Sequence, residues 1–181
     1  MAPLVKELES RAEIQSICCI TAQHRQMLDS VLEVFHCTPD YDLNIMTPRQ
    51  TLSTITSKCL VGMDEAIEAL KPDMILVHGD TSTTFAGALS AFYHQVPVGH
   101  VEAGLRTWDK YSPFPEEMNR KLVSAIADLY FCPTENNRNN LLKEGITEGL
   151  FVTGNTVIDA LKTTVRDDYH FETDELNHLP Y

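Results

Sequence analysis

The sequence predicts an α/β protein, a parallel sheet covered by helices on both faces. Strand-like and helix-like segments alternate almost throughout. The strand segments are near-continuous apolar runs, as expected for strands buried on both sides. Acidic residues stand where two of those runs end, in "LVHGDTSTT" and "VGHVEAGLRT".

The elements follow in order. "APLVKELE" opens the chain as a helical pattern with no strand before it. "IQSICCI" (14–20) is a short β-rich run, and "QMLDSVLEVFH" then places Met27, Val31, Leu32 and Phe35 at helical spacing. "TLSTITSKCLVGMDEAIEAL" puts Leu52, Ile55, Cys59, Met63, Ile67 and Leu70 on one stripe, and Pro72 ends that helix before the strand "DMILVH". Residues 81–94 predict a helix with Thr81 or Ser82 as N-cap and Phe85, Leu89, Phe92 and Tyr93 turned inward. "VPVGHVEAG" is the next strand, and the loop "TWDKYSPFP" leads into a helix from about Glu116 to Ile126. Strand "LYFC", helix 134–144, strand "LFVTG" and helix "TVIDALKTTV" complete a domain over residues 1–165. A polar tail, 166–181, is expected to be loose.

Composition excludes several classes. The net charge is −12 and the basic residues are scattered, which argues against a nucleic-acid partner. No apolar run approaches the roughly 18–20 residues needed to cross a bilayer. "MAPLVKELES" lacks the layout of a secretory leader, so a cytoplasmic protein without a membrane partner is expected. Cys18, Cys19, Cys37, Cys59 and Cys132 form no CxxC pair and read as small buried hydrophobes, with no metal site expected.

In open α/β sheets ligands lie beyond the carboxyl ends of the strands, where Asp80 and Glu102 fall. Glu116 and Glu117 begin a helix just past the Pro-rich loop. Three acidic positions on one cleft fit proton transfer. Each also has a plainer reading. Asp80 as a helix cap, Glu116 as a first-turn carboxylate and Glu102 paired with Arg106 all remain open on the residues alone. His78 and His100 read as hydrogen-bonded packing residues. "GDTSTT" is neither a Walker loop nor a dinucleotide fingerprint.

Taken together, "HGDTSTT", "PVGHVEAGLRT", "SPFPEEMNR", "CPT" and "VTGNTVIDAL" resemble the non-hydrolysing UDP-N-acetylglucosamine 2-epimerases, with five motifs in the family's order. The resemblance implies a Rossmann-like domain, the N-terminal half of a glycosyltransferase-B-type two-domain fold. It implies inversion at C2 of UDP-N-acetylglucosamine to give UDP-N-acetylmannosamine for cell-envelope polysaccharides, with no metal or nicotinamide. A base removes the C2 proton, UDP leaves to give a glycal, and UDP adds back after reprotonation on the other face. The acid–base candidates carried over are Asp80, Glu102 and Glu116. A second UDP-sugar, acting as allosteric activator, is implied beside Gln23, Gln26, Arg49 and again Glu116, and a homodimer is implied for the full-length family.

The resemblance also implies a first strand and a GTRPEAIK loop ahead of "MAPLVKELE", and a second domain beyond the tail. Neither is among these 181 residues; relative to the family, the first strand is missing. Three readings follow: the epimerase N-terminal domain or a fragment of it, an inactive remnant or a binding and assembly module that pairs with a full-length copy, or a relative that uses the same glycal chemistry with net hydrolysis of UDP.

Overall fold

A computed structural model describes residues 1–22, 25–47, 49–165, 169–171 and 173–178, the side chains of Arg25, Gln26 and Asp174 excepted. Four strands, β3 (Ile75–His78), β4 (Val98–Val101), β5 (Leu129–Cys132) and β6 (Leu150–Val152), form one parallel sheet in chain order. Ile75 stands opposite Val98, Gly99 opposite Leu129 and Tyr130 opposite Leu150. The crossovers are α4 (Ser82–Tyr93), α5 (Glu116–Ile126) and α6 (Glu135–Lys143). Because every strand runs the same way, all four carboxyl ends open on one edge, and the residues after them meet there.

A second, two-stranded parallel sheet pairs β1 (Cys19–Ile20) with β2 (Tyr41–Asp42). Among the described residues it is not hydrogen-bonded to the first sheet. Only two residues of the predicted 14–20 run form a strand, since the remainder has no ladder partner. Around these lie α1 (Ala2–Glu9), α2 (Arg25–Val34), α3 (Leu52–Leu70), α7 (Thr156–Thr164) and α8 (Asp174–Asn177). Within the expected tail, the Asn177 amide and the Phe171 backbone exchange two hydrogen bonds beside α8. Residues 166–168, 172 and 179–181 of that tail lie outside the described residues.

The main core gathers Val77, Val98, Val123, Tyr130, Cys132 and Leu141 with alanines of α4, and a smaller one joins Ile45, Ile55, Cys59 and Ala86. Here the predicted helix faces need correction. In α4 the buried residues are Ser82, Thr84, Ala86, Gly87, Ala88, Ser90 and Ala91, whereas Phe92 and Tyr93 are exposed. The helix lies among α3, α5 and the sheet, and small residues let backbones approach closely: the Ser90 hydroxyl reaches the Leu60 carbonyl of α3 at 3.3 Å. The α3 stripe is buried at Ile55, Cys59 and Ile67 but exposed at Leu52 and Leu70. Met27 and Val31 of α2 are exposed too. Among the described residues no helix is long and apolar enough to cross a membrane, and all five cysteines are free.

Candidate functional site

The turn after β3 carries Asp80, and Gly79 makes it possible by taking φ +71°, a conformation only glycine adopts freely. The Gly79 amide donates to Val101 O at 3.0 Å, and its carbonyl meets Nε2 of the fully buried His100 at 2.8 Å. The N-cap of α4 is Thr81, whose hydroxyl accepts the Thr84 amide. Asp80 is therefore free of the capping role. Its Oδ2 instead accepts two bonds from Arg120 of α5, Nη2 at 2.6 Å and Nε at 3.0 Å, and its backbone carbonyl accepts the Asn119 amide at 2.8 Å.

Glu102 ends β4 with its backbone at φ +66°, an uncommon place for a residue with a Cβ. The plainer alternative, a pair with Arg106, is not the one formed, since Arg106 is bonded to Glu144. Oε1 accepts the Asn155 side-chain amide at 2.8 Å, and Oε2 stands 3.8 Å from His78 Nε2. Asn155 caps α7 with its other atom, Oδ1, so one residue serves helix and site together. A Cβ built on Gly79 would lie 3.6 Å from Glu102 Oε2, which sets the Asp80 turn and Glu102 side by side. Burial, foremost, holds the His78 imidazole below its usual range, against the pull of Glu102 and Asp80.

The Arg106 side chain is fully buried and forks onto Glu144, with Nε to Oε1 at 2.9 Å and Nη2 to Oε2 at 2.6 Å; it also donates to Ser124. It thereby ties the segment after β4 to the end of α6. Gly104 permits that approach: a Cβ there would fall 2.3 Å from Asn137 O.

Glu116 and Glu117 occupy the first turn of α5 as predicted. Their surroundings differ completely. Glu116 is half-buried with no hydrogen-bond partner among the described residues. Glu117 is fully buried and accepts the Thr107 amide at 3.1 Å, the Trp108 amide at 3.0 Å and Arg120 Nη1 at 3.0 Å. Burial alone would push the Glu117 carboxyl up; those three donors outweigh it and hold it below the usual carboxylate range.

The structure thus brings Asp80 and Glu102 together and links Glu116 to them through α5. Of the second predicted set, Gln23 and the side chain of Gln26 lie outside the described residues. Arg49 is exposed at φ +61° and is not bonded to the acids. Among the described residues no group of three or more His, Cys, Asp or Glu is arranged to hold a metal. An open depression of about 710 Å³ lined by Arg106, Trp108, Asn139 and Lys143 includes none of the three acids. Asn119, Arg120 and Asn155 were not singled out from the sequence. A signal for Arg120 was present, since it stands three and four residues beyond Glu117 and Glu116 on one helix.

Fold and site define an α/β protein of the open parallel-sheet class, with the Asp80 turn and Glu102 side by side just past the ends of two neighbouring strands. The family model described as UDP-N-acetylglucosamine 2-epimerase matches residues 6–178, and the chain belongs to that family. It is 65% identical over 170 residues to the UDP-N-acetylglucosamine 2-epimerase of Bacillus subtilis, covering 93% of this chain and 45% of that protein. Among solved structures it resembles S. aureus MnaA in complex with UDP, at TM-score 0.92 and 59% identity, covering 98% of this chain and 47% of that one. The Neisseria meningitidis UDP-GlcNAc 2-epimerase bound to UDP-GlcNAc matches at TM-score 0.88 and 55% identity, over 90% of this chain and 44% of that one. The chain spans about half the length of the curated relatives it matches.

Proposed function

We propose that this chain supplies the acid–base half of a UDP-N-acetylglucosamine 2-epimerase, with a second domain holding most of the UDP. The observation that carries this reading is the placement of Glu102, kept at φ +66° beside the Asp80 turn by Asn155 and within 3.8 Å of His78. A residue held in a sparsely populated backbone region costs about 1–3 kcal/mol, and such outliers cluster at functional sites.

Asp80, Glu102 and Glu116 are the groups that remove the C2 proton as UDP leaves and return one to the opposite face of the glycal, after which UDP adds back at C1. Asp80 keeps Oδ1 clear of Arg120, whose bonds both fall on Oδ2. The Glu116 carboxylate, with no hydrogen-bond partner among the described residues, is free to face a ligand. The UDP-sugar is also the activator, held at a neighbouring site by Gln23, Gln26, Arg49 and Glu116. Two copies form the working dimer, in the cytoplasm, and the product feeds cell-envelope polysaccharide synthesis. No metal or nicotinamide takes part in this reading.

The test places this chain in the Bacillus subtilis relative in exchange for the 170 matching residues, keeping that protein's own flanking sequence. Incubated with UDP-N-acetylglucosamine in deuterium oxide, the hybrid should form the manno epimer with deuterium at C2. Turnover without deuterium at C2, or release of free UDP and sugar instead of epimer, would overturn the reading.

A further inference from the structure

Arg120 stands between two carboxylates that do different things. On one side Glu117 is fully buried and already accepts two backbone amides from the Thr107–Trp108 loop. On the other, Asp80 sits on the turn after β3, its side chain 28% exposed. Three guanidinium nitrogens are used, Nη1 toward Glu117 at 3.0 Å, Nε and Nη2 toward Asp80 at 3.0 and 2.6 Å. The Arg120 side chain is only 12% exposed, and its fork is held from both ends by carboxylates. Asn119, the preceding residue, fixes the Asp80 backbone carbonyl at 2.8 Å.

From this geometry we infer that Arg120 is the positioning residue for Asp80: it turns Oδ2 away and presents Oδ1 to the cleft, and Glu117 anchors it. The inference rests on the epimerase reading and assigns a role to a residue that touches no reacting atom. Asp80 and Glu102 come from the ends of two strands, so their spacing is set by the sheet. The rotation of the Asp80 carboxylate about its own side chain is not. Two flexible torsions remain, and the Arg120 fork restrains both. A planar fork is needed because the two carboxylates lie in different directions; the point charge of a lysine serves one direction at a time.

The same arrangement joins helix and turn. Glu116 begins α5, Arg120 is one turn further on, and Arg120 grips Asp80. Any shift of α5 therefore moves Glu116 and Asp80 together.

The experiment uses the two-domain hybrid and compares Arg120→Met, Arg120→Lys, Asp80→Asn and the double variant Asp80→Asn with Arg120→Met. Arg120→Met should lower kcat by about 10²-fold with KM little changed, the scale of a misplaced catalytic group. Arg120→Lys should recover part of that loss. In the double variant Arg120→Met should cost no further activity, because there is no catalytic carboxylate left to orient. Thermal melts of each protein accompany the kinetics. A kcat unaffected by Arg120→Met, or an equal loss in the presence and absence of Asp80→Asn, would overturn the assignment while the unmodified hybrid stays active. A loss that follows Tm alone and is not recovered by lysine would do the same. An unmodified hybrid lacking C2 exchange overturns the functional reading, and this assignment with it.

Discussion

Between residues 75 and 155 the acidic side chains past the strand ends are each tied to a partner far away in sequence, whereas the described residues of the 19–50 segment include several exposed apolar and charged side chains. In the first region Asp80, Glu117, Arg120, Glu102 and Asn155 each have a named partner, over strands of three or four residues and a ten-residue apolar cluster. In the second, the strands are two residues long, Arg49 is exposed, and Met27, Val31 and Val34 of α2 face outward. Acid–base chemistry needs atoms fixed to within a fraction of an ångström, and only a packed sheet edge with buried polar supports provides that. A site that binds an activator tolerates looser walls, since its groups can close on the ligand when it arrives.

The strongest way to break this contrast is to neutralise the acids. In the hybrid enzyme Asp80→Asn, Glu102→Gln and Glu116→Gln keep shape but remove the carboxylate proposed to handle the proton. Each should lower turnover by about 10²–10⁴-fold, the range for general acid–base catalysis. Wild-type rates in both Asp80→Asn and Glu102→Gln would return these residues to the scaffold.

Next in size is the support beneath the cleft. Glu144→Ala leaves the fully buried Arg106 guanidinium without its carboxylate. Breaking a buried pair from one side costs about 3–5 kcal/mol; Glu144 is 22% exposed, which puts the expectation at the lower end. The urea midpoint of the chain reports it, and an unchanged midpoint would mean that water replaces the carboxylate.

His100 sharpens the contrast through pH. Burial pushes its imidazole down to about 4, so the folded chain holds it neutral. An unfolded histidine protonates near 6.5, so the unfolded state binds more protons between the two values. Its share of stability is intact above about pH 6.5 and is lost as pH falls toward about 4, on the order of 3 kcal/mol at 1.36 kcal/mol per pH unit. Urea titrations at about pH 7.5 and about pH 4.5 should show a smaller acid loss in His100→Gln than in the parent chain. Equal losses would place the acid sensitivity in other groups.

The smallest expected effect belongs to the N-terminal region. Arg49→Ala in the hybrid should weaken activation by UDP-N-acetylglucosamine by about 1.5–3 kcal/mol, the worth of a charge-assisted bond to a diphosphate, and leave the chemical step nearly intact. Substrate titrations with unchanged cooperativity would remove Arg49 from the activator site.

The sequence by itself determined the alternation of strands and helices, the start of α5 at Glu116 and the strand-end places of Asp80 and Glu102, and it narrowed the N-cap of α4 to Asp80, Thr81 or Ser82, of which the structure uses Thr81. These depend on local periodicity and on the geometry that puts successive residues of one segment in a fixed relation. What the chain could not reveal locally were partners separated by long stretches: Asp80 with Arg120, Glu102 with Asn155, Arg106 with Glu144. Arg106 stands four residues from Glu102, near enough in sequence to propose a pair, yet past the end of a strand that closeness fixes no direction. The inward face of α4 was decided the same way, because its neighbours α3 and α5 and the sheet admit alanine, serine and glycine and turn Phe92 and Tyr93 out. That Asp80 and Glu102 stand past the ends of adjacent strands followed from the order of the segments. Which atoms of them are held, and by what, was settled only when helices distant in sequence packed against the same sheet edge.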